Sequence, residues 1–200
     1  ERNMIALVLA SASSSRHVLL KAAGLGVTID PANIDENSVK MEMVADGRSA
    51  VDTALVLAIR KAAVVSSRHP GALVIGGDQI LHCDGRWFDK PETTDQARAH
   101  LVTLRGRRHA LATAVAVVRD GVIQWQHCES PYLIMHDFSD AFLENYLTAV
   151  GEKVCSTVGA YRLEEYGVHL FESIDGDYFT ILGLPLLALL SYLRDQQIVE

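Results

Sequence analysis

The sequence predicts an α/β protein with a mixed β-sheet flanked by helices. Apolar runs of strand length, typical of strands buried on both faces, alternate with segments of helical spacing. Asp-Gly pairs between apolar runs predict three antiparallel hairpins, at Asp84-Gly85, Asp120-Gly121 and Asp175-Gly176. No internal repeat, low-complexity tract or charge block divides the chain, so we expect a single domain over residues 1–200.

The first third of the chain reads as strand, turn, helix and strand. Residues 4–10 form a continuous apolar run that predicts a buried strand, and the serines within 11–15 predict the turn that ends it. Helical spacing predicts a helix over 16–24, and a second strand is expected over 26–30. A polar loop is expected from there to about Gly47.

The rest of the chain alternates helices with strands. An Ala-rich apolar segment over 49–67 predicts a long, largely buried helix, and Pro185 is placed for the first turn of the last helix. The remaining expected elements are a strand over 72–81, helices over 92–105 and 141–150, a strand pair over 109–118 and 122–127, and another over 169–174 and 178–182.

The composition argues against two classes of partner. Lys and Arg number 18 against 25 Asp and Glu, and the resulting net charge of -7 disfavours loose attachment to nucleic acid or to an anionic membrane. The longest apolar stretch, 181–190, is interrupted by Gly183 and Pro185 and is shorter than the roughly 18 residues that a membrane span needs. We therefore expect no nucleic-acid partner and no membrane partner.

Two features of the sequence bear on its compartment. Residues 4–10 have the minimum length of a signal-peptide core, but residues 1–3 carry no net positive charge, so a buried first strand is favoured. Cys83, Cys128 and Cys155 are odd in number and form no Cys-x-x-Cys pair, which favours free thiols in a reducing compartment. We expect a cytoplasmic protein.

The turn after the first strand has the composition of an anion site. Ser11 and Ser13 stand between the buried strand and a helix that Arg16 opens. Unpaired N–H groups at a helix N-terminus, serine hydroxyls and a forked guanidinium all suit phosphate oxygens. The alternative is a purely structural serine cap with a solvated Arg16.

Carboxylates in two separate loops suggest a metal site. Asp78 follows Gly76-Gly77 at the end of an apolar strand, where the glycines would allow a ligand to approach the backbone closely, and we expect its carboxylate to be exposed in a crevice there. Glu36 lies in a loop after the second strand. Two such carboxylates could hold Mg²⁺, although a turn aspartate and a solvated acidic loop are the alternatives, and spacing leaves open whether they meet.

Basic residues offer further candidates for phosphate binding. They are Lys61 in the long helix, Lys90 before a proline, and the three arginines Arg105, Arg107 and Arg108. The three arginines most resemble a solvated loop. The eight histidines show no zinc-ligand spacing. The absence of G-x-S-x-G and G-x-G-x-x-G motifs disfavours a serine hydrolase and a dinucleotide enzyme.

Taken together, the motifs resemble the Maf (septum-formation) family of nucleoside triphosphate pyrophosphatases. The first, LVLASASSSR, is similar to the family's LxLASxSPRR, and IGGDQIL is similar to its G(A/S)D(T/Q) catalytic strand. The matching segments follow the family's order over nearly the whole chain: LVLASASSSR at 7–16, IDE at 34–36, RKA at 60–62, IGGDQIL at 75–81, DKP at 89–91, LRGRRHALATAVAV at 104–117, VGAYRLEEYG at 158–167 and IDGDYFTILGLPL at 174–186.

This resemblance implies a fold and a reaction. The fold would be a twisted sheet with two lobes and a cleft, related to inosine triphosphatase and often dimeric, and the reaction would release pyrophosphate from a nucleoside triphosphate. It implies that Glu36 and Asp78 hold the metal, Mg²⁺ with Mn²⁺ as an alternative, and handle the attacking water. Triphosphate binding would fall to Ser11, Ser13, Arg16, Lys61 and Lys90.

Departures from the family pattern bear on the substrate. Gln79 and Glu164 resemble the subgroup acting on 7-methyl-GTP, whereas the dTTP and UTP subgroup has Thr and Gln there; Ser15 matches neither subgroup. We expect 7-methyl-GTP, with dTTP or UTP as the alternative. Thr157 replaces a family lysine, and Ala114 replaces a family glycine, which would narrow the backbone approach there. The missing loop arginine at Ser15 and the missing lysine at Thr157 make a non-catalytic, nucleotide-binding division regulator a further alternative.

Overall fold

The computed structural model describes residues 5–200, so Met4, in the expected first strand, and residues 1–3, weighed as a leader, lie outside the described residues. The strands are β1 (Leu7–Leu9), β2 (Val27–Ile29), β3 (Leu73–Cys83), β4 (Arg86–Phe88), β5 (Arg108–Arg119), β6 (Val122–Glu129), β7 (Tyr132–Met135) and β8 (Phe171–Asp175). The α-helices are α1 (Ser14–Ala22), α2 (Glu36–Ala45), α3 (Ala50–Ser66), α4 (Thr94–Leu104), α5 (Asp140–Val150), α6 (Tyr178–Ile181) and α7 (Leu186–Asp195). Short 3₁₀ turns occupy Gly151–Ser156, Val158–Ala160 and Tyr166–Leu170.

The strands form one mixed sheet, which confirms the predicted α/β class. The order is β2-β1-β3-β5-β7-β8, with β4 paired to β3 and β6 paired to β5. The chain divides into two compact units. Unit 1 comprises the described residues up to Asp78, Thr113–Glu129 and Gly183–Glu200, and unit 2 comprises Gln79–Ala112 and Ser130–Leu182. The single domain and the cleft expected from the sequence stay predictions.

Unit 1 contains three parallel strands, β2, β1 and β3, with a buried helix. In β1, Leu9 pairs with Ile29 of β2 on one side and with Ile75 of β3 on the other. Helix α3 begins with a capping box between Ser49 and Asp52, as its sequence pattern favours. One hydrophobic cluster of this unit contains Val8, Ala10, Ala62, Val65, Ala72, Val74 and Val118. The largely buried helix predicted over 49–67 is confirmed.

Unit 2 is antiparallel. Strands β3 and β4 form a hairpin in which Leu81 pairs with Phe88, and β7 pairs with β5 and with β8. Helices α4 and α5 contribute to its core, whose members include Leu101, Leu104, Leu133, Met135 and Tyr146. Asp84 and Gly85 both have positive φ, at 49° and 80°. Consecutive positive φ values suit a tight hairpin turn, so the first Asp-Gly prediction is confirmed.

The third predicted hairpin is wrong. Residues 171–175 form β8, but the chain then enters α6 rather than a second strand. The cause is local, because the Asp177 carboxylate accepts hydrogen bonds from the backbone N–H and the hydroxyl of Thr180, at 2.7 and 2.8 Å. This is an N-cap, so the Asp-Gly-Asp sequence starts a helix instead of closing a strand pair.

The polar loop expected up to Gly47 contains a helix, α2. Asp35 is its N-cap and accepts from the backbone N–H of Ser38 at 3.0 Å. Val39 and Met43, four positions apart, are the buried residues of this helix. Met41 and Val44 are apolar but exposed, so the apolar residues of this segment show no clear helical periodicity in the sequence. Strand β7 was not predicted either.

The remaining expectations concern thiols and membranes. The three cysteines are free thiols, as expected. None of the helices within residues 5–200 combines the length and the apolar character needed to cross a bilayer.

Candidate active site

The turn between β1 and α1 is organised by its own serines. Ser13 caps α1 by accepting from the backbone N–H of Arg16 at 3.4 Å. The Ser11 hydroxyl oxygen accepts from the backbone N–H of Ser13 at 3.2 Å and from Arg16 Nη1 at 3.0 Å. The cap expected from the sequence is therefore present, but Arg16 is only 8% exposed, so the solvated arginine of the structural alternative is wrong.

Arg16 also contacts a distant part of unit 1. Its Nε donates to the carbonyl oxygen of Gly183 at 2.7 Å, across 167 positions of sequence. Burial lowers the pKa of Arg16, and the charges of Asp78 and Glu36 oppose that shift. Nothing in the sequence pattern pointed to Gly183, because a carbonyl acceptor can belong to any residue.

Gly76 and Gly77 leave room for other parts of the chain, while the ligand approach expected at them stays a prediction. A Cβ at Gly76 would lie 2.0 Å from the carbonyl oxygen of Ala58, so this glycine lets α3 pack against β3. A Cβ at Gly77 would lie 2.9 Å from Arg16 Nε. The two glycines therefore make room for the helix that carries Lys61 and for the buried guanidinium.

Three charged side chains of unit 1 meet in one cluster. Glu36 is the first residue of α2, Lys61 belongs to α3, and Asp78 belongs to β3. The Lys61 ammonium lies 2.8 Å from Glu36 Oε1 and 2.7 Å from Asp78 Oδ1. The spacing of the sequence left open whether the two carboxylates approach each other, and the structure places both on the same ammonium.

Asp78 is more buried than its sequence context suggested. The expectation of an exposed carboxylate at a strand end is wrong, because β3 continues to Cys83 and Asp78 is 5% exposed. Burial raises the pKa of Asp78, while the charge and hydrogen bond of Lys61 and the charge of Arg16 act in the opposite direction. Within residues 5–200, Asp78 Oδ2 is a buried oxygen without a hydrogen-bond partner.

The donor set of this cluster suits a hard cation that shares its shell with a substrate. In the part of the chain that the structure describes, no group of three or more His, Cys, Asp or Glu side chains is placed to hold a metal. Mg²⁺ commonly takes one or two protein carboxylates and completes its shell with phosphate oxygens and water. Glu36 and Asp78 fit that pattern, and the unpartnered Asp78 Oδ2 is an oxygen available for it.

Three predicted site residues belong to unit 2, where each has its own surroundings. The Gln79 amide donates to the carbonyl oxygens of Thr180 and Ile181, at 3.2 and 3.1 Å. Because both partners are acceptors, they fix which way the amide points and leave Oε1 as its acceptor end. Lys90 is exposed and follows β4.

Glu164 is held by an arginine that the sequence analysis did not single out. Arg162 Nε and Nη2 both lie 3.1 Å from Glu164 Oε1, and Arg162 Nη1 lies 3.0 Å from Glu165 Oε1. In the sequence, the i, i+2 spacing of Arg162 and Glu164 was the feature that could have indicated this ion pair. Glu164 therefore presents a carboxylate whose orientation is set by a neighbouring guanidinium.

Of the two departures, Thr157 makes a specific contact, whereas nothing in the structure explains Ala114. The Thr157 hydroxyl donates to the carbonyl oxygen of Tyr161, and the Tyr146 hydroxyl donates to that of Ala160 at 3.0 Å. These bonds hold the chain just before Arg162. Ala114 is fully buried within β5.

Comparisons with known proteins agree with the motif order. The model of the Maf-like protein family matches residues 6–196. A nucleoside triphosphate pyrophosphatase of Paramagnetospirillum magneticum is 52% identical over 94% of this chain and 97% of its own length. A 7-methyl-GTP pyrophosphatase of Mesorhizobium japonicum is 46% identical over 94% of each chain, and one of Rhizobium meliloti is 45% identical over 94% of this chain and 95% of its own.

Among solved structures, a nucleoside-triphosphatase (dITP/XTP pyrophosphatase) of Mycobacterium abscessus is 18% identical, covering 67% of this chain and 76% of its own. Its TM-score of 0.38 is too low to test the expected relation to the inosine triphosphatase fold. The family match and the relatives spanning nearly the full length of both chains establish the relationship: the chain belongs to the Maf-like protein family.

Proposed function

We propose that this protein is a nucleoside triphosphate pyrophosphatase, a hydrolase that cleaves the bond between the α- and β-phosphates to give a nucleoside monophosphate and pyrophosphate. Relatives of 46 to 52% identity carry names of this activity. The observation that carries the proposal is the meeting of the half-exposed Glu36 carboxylate and the buried Asp78 carboxylate at the Lys61 ammonium. Carboxylates beside fixed cations are what hydrolysis of a phosphoanhydride requires.

The proposed mechanism assigns the metal, the water and the phosphate charge to charged side chains of unit 1. Glu36 and Asp78 would hold a divalent cation, Mg²⁺ or Mn²⁺, which supplies positive charge to the phosphate oxygens. Asp78 accepts the proton of the attacking water. Lys61 and Arg16 stabilise the negative charge that develops on the transferred phosphorus group.

Other predicted residues complete the binding of the triphosphate. Ser11 and Ser13 present hydroxyls at the start of α1, where the N-terminal end of a helix favours an anion. Lys90 of unit 2 neutralises phosphate charge in this proposal.

Replacement of Asp78 by Asn tests the catalytic part. Because the variant keeps the size of the side chain but cannot accept a proton, we expect pyrophosphate release to fall at least ~100-fold. Asp84→Asn is the matched control, since Asp84 lies in an exposed turn and should release pyrophosphate at the wild-type rate. A wild-type rate for Asp78→Asn would contradict the mechanism.

We propose 7-methyl-GTP as the favoured substrate. A carboxylate at Glu164 can accept two N–H bonds from a guanine edge, and Gln79 and Glu164 both resemble the residues of the 7-methyl-GTP subgroup. Two relatives bear the 7-methyl-GTP name, although the relative of 52% identity bears the general one. A turnover panel of 7-methyl-GTP, GTP, UTP and dTTP decides the question, and preference for the pyrimidines would favour the alternative subgroup.

Glu164→Gln sharpens the substrate test. An amide presents a donor group beside an acceptor oxygen, which suits the mixed edge of a pyrimidine, so kcat/KM should shift from 7-methyl-GTP towards UTP and dTTP by about tenfold. Glu165→Gln is the control, because Glu165 lies beside it on the same arginine. Equal shifts in both variants would assign the effect to charge alone.

A non-catalytic nucleotide-binding role is the second candidate. The observation that favours it is Ser15, which stands where one family subgroup has a loop arginine. Equal trace release of pyrophosphate by the wild type and Asp78→Asn, together with nucleotide binding, would support a division regulator instead of an enzyme.

We further propose a cytoplasmic homodimer without nucleic-acid or membrane partners. The net charge of -7 and the free thiols support the absence of polyanionic partners and the compartment. Sedimentation of the purified chain measures the oligomeric state.

A further inference from the structure

The Lys61 side chain bridges the two carboxylates that would hold a metal, those of Glu36 and Asp78. Its ammonium lies within 2.8 Å of one oxygen of Glu36 and one oxygen of Asp78. Lys61 is 7% exposed and Asp78 5%, so solvent contributes little to that pair, whereas the Glu36 side chain is 42% exposed. One side chain of the protein therefore bridges both carboxylates.

The charges of this part of unit 1 balance. Glu36 and Asp78 contribute two negative charges, and Lys61 contributes one positive charge. Arg16 contributes another, and it interacts electrostatically with both carboxylates. A neutral cluster offers little attraction to a hydrated divalent cation, which gives up its water reluctantly. A nearby ammonium also repels such a cation.

The cluster nevertheless retains an oxygen for a metal, because Asp78 Oδ2 is buried and lacks a partner among the described residues. A triphosphate changes the balance, since it brings several negative charges and further oxygen ligands. A divalent cation that is poorly attracted to the neutral cluster would be well attracted to the cluster with a triphosphate beside it.

We infer that Lys61 makes divalent-metal binding depend on the nucleotide: it stands in for the metal between Glu36 and Asp78 and keeps metal affinity low until a triphosphate arrives. This inference rests on the proposed function for the identity of the two ligands. Lys61 would then have two roles: it neutralises phosphate charge, and it sets the order in which metal and substrate bind.

The test measures Mn²⁺ binding to the nucleotide-free protein by calorimetry, with the metal alone as probe. Lys61→Met removes the competing charge, so it should bind Mn²⁺ at least tenfold more tightly than the wild type. Lys61→Arg keeps the charge and should stay weak. Arg60→Met is the matched control, because it removes a cation from the adjacent, exposed position and should match the wild type.

A second measurement uses the wild type alone. Addition of a non-hydrolysable triphosphate analogue should increase Mn²⁺ affinity at least tenfold, and this arm decides the matter if Lys61→Met does not fold. Lys61→Met binding no tighter than wild type, or wild-type affinity unchanged by the analogue, would overturn the inference. Pyrophosphate release by the wild type is assayed in parallel. If the wild type releases pyrophosphate but either of these two binding results is found, only the inference about Lys61 is overturned. If the wild type releases no pyrophosphate, the proposed function is refuted.

Discussion

A buried histidine in unit 2 makes acid stability a quantitative test of the structure. His109 lies near the start of β5, is 2% exposed, and its Nε2 is 2.8 Å from the hydroxyl oxygen of Tyr161. Burial, with a smaller contribution from the charge of His82, lowers the pKa of His109 from 6.5 to about 4. The imidazole is therefore neutral in the folded protein at neutral pH.

The sign and size of the effect follow from that pKa. Between pH 6.5 and about 4 the unfolded chain binds a proton at His109 that the folded chain does not bind. The stability from the neutral imidazole is thus complete above pH 6.5 and decreases as the pH falls through this window. A difference from 6.5 to about 4 corresponds to a loss of about 3 kcal/mol in the free energy of unfolding.

The assay compares denaturant unfolding of the wild type and His109→Gln over this pH range. Glutamine can still hydrogen-bond Tyr161 but cannot be protonated, so the wild type should lose about 3 kcal/mol relative to the variant as the pH falls. His169→Gln, at an exposed position, should follow the wild type. A difference between wild type and His109→Gln that stays constant with pH would refute the reasoning.

Two further predictions concern packing in unit 1. Gly76→Ala should destabilise the protein by about 3 kcal/mol or more, because the added Cβ would lie 2.0 Å from the Ala58 carbonyl oxygen. Denaturant unfolding measures this, and an unchanged midpoint would contradict the close packing of α3. Arg16→Lys should cost about 2 kcal/mol, because lysine keeps the charge but not the fork that reaches both Gly183 and Ser11. Wild-type stability of that variant would show that the two bonds contribute little.

The elements that the sequence predicted well are those whose cause is local. The second hairpin illustrates this, because Asp120 and Gly121 both have positive φ and directly join β5 to β6. Asp177 shows the limit of the same rule. An Asp beside a glycine can turn a hairpin or cap a helix, and the choice depends on whether the following residues can bury a helical face.

The candidate site was predicted as a set of residues but not as a geometry. Lys61 and Asp78 are 17 positions apart and meet because α3 packs on β3 where Gly76 has no side chain. The carbonyl partner of Arg16 and the guanidinium partner of Glu164 could not be predicted from composition or periodicity. Such pairings are tertiary, because any carbonyl or arginine at the right distance can satisfy them.

The burial of these charges is itself evidence for a functional site. Removing Lys61 and Asp78 from water costs free energy that their attraction recovers only in part, and apolar residues of similar volume often stabilise such a position as well or better. Packing therefore gives no reason for a lysine and an aspartate there. Hydrogen bonding gives no complete reason either, since one oxygen of Asp78 lacks a partner within residues 5–200. A ligand that completes the cluster would satisfy the unpartnered carboxylate oxygen, and the cation that we propose to enter with a triphosphate would do so.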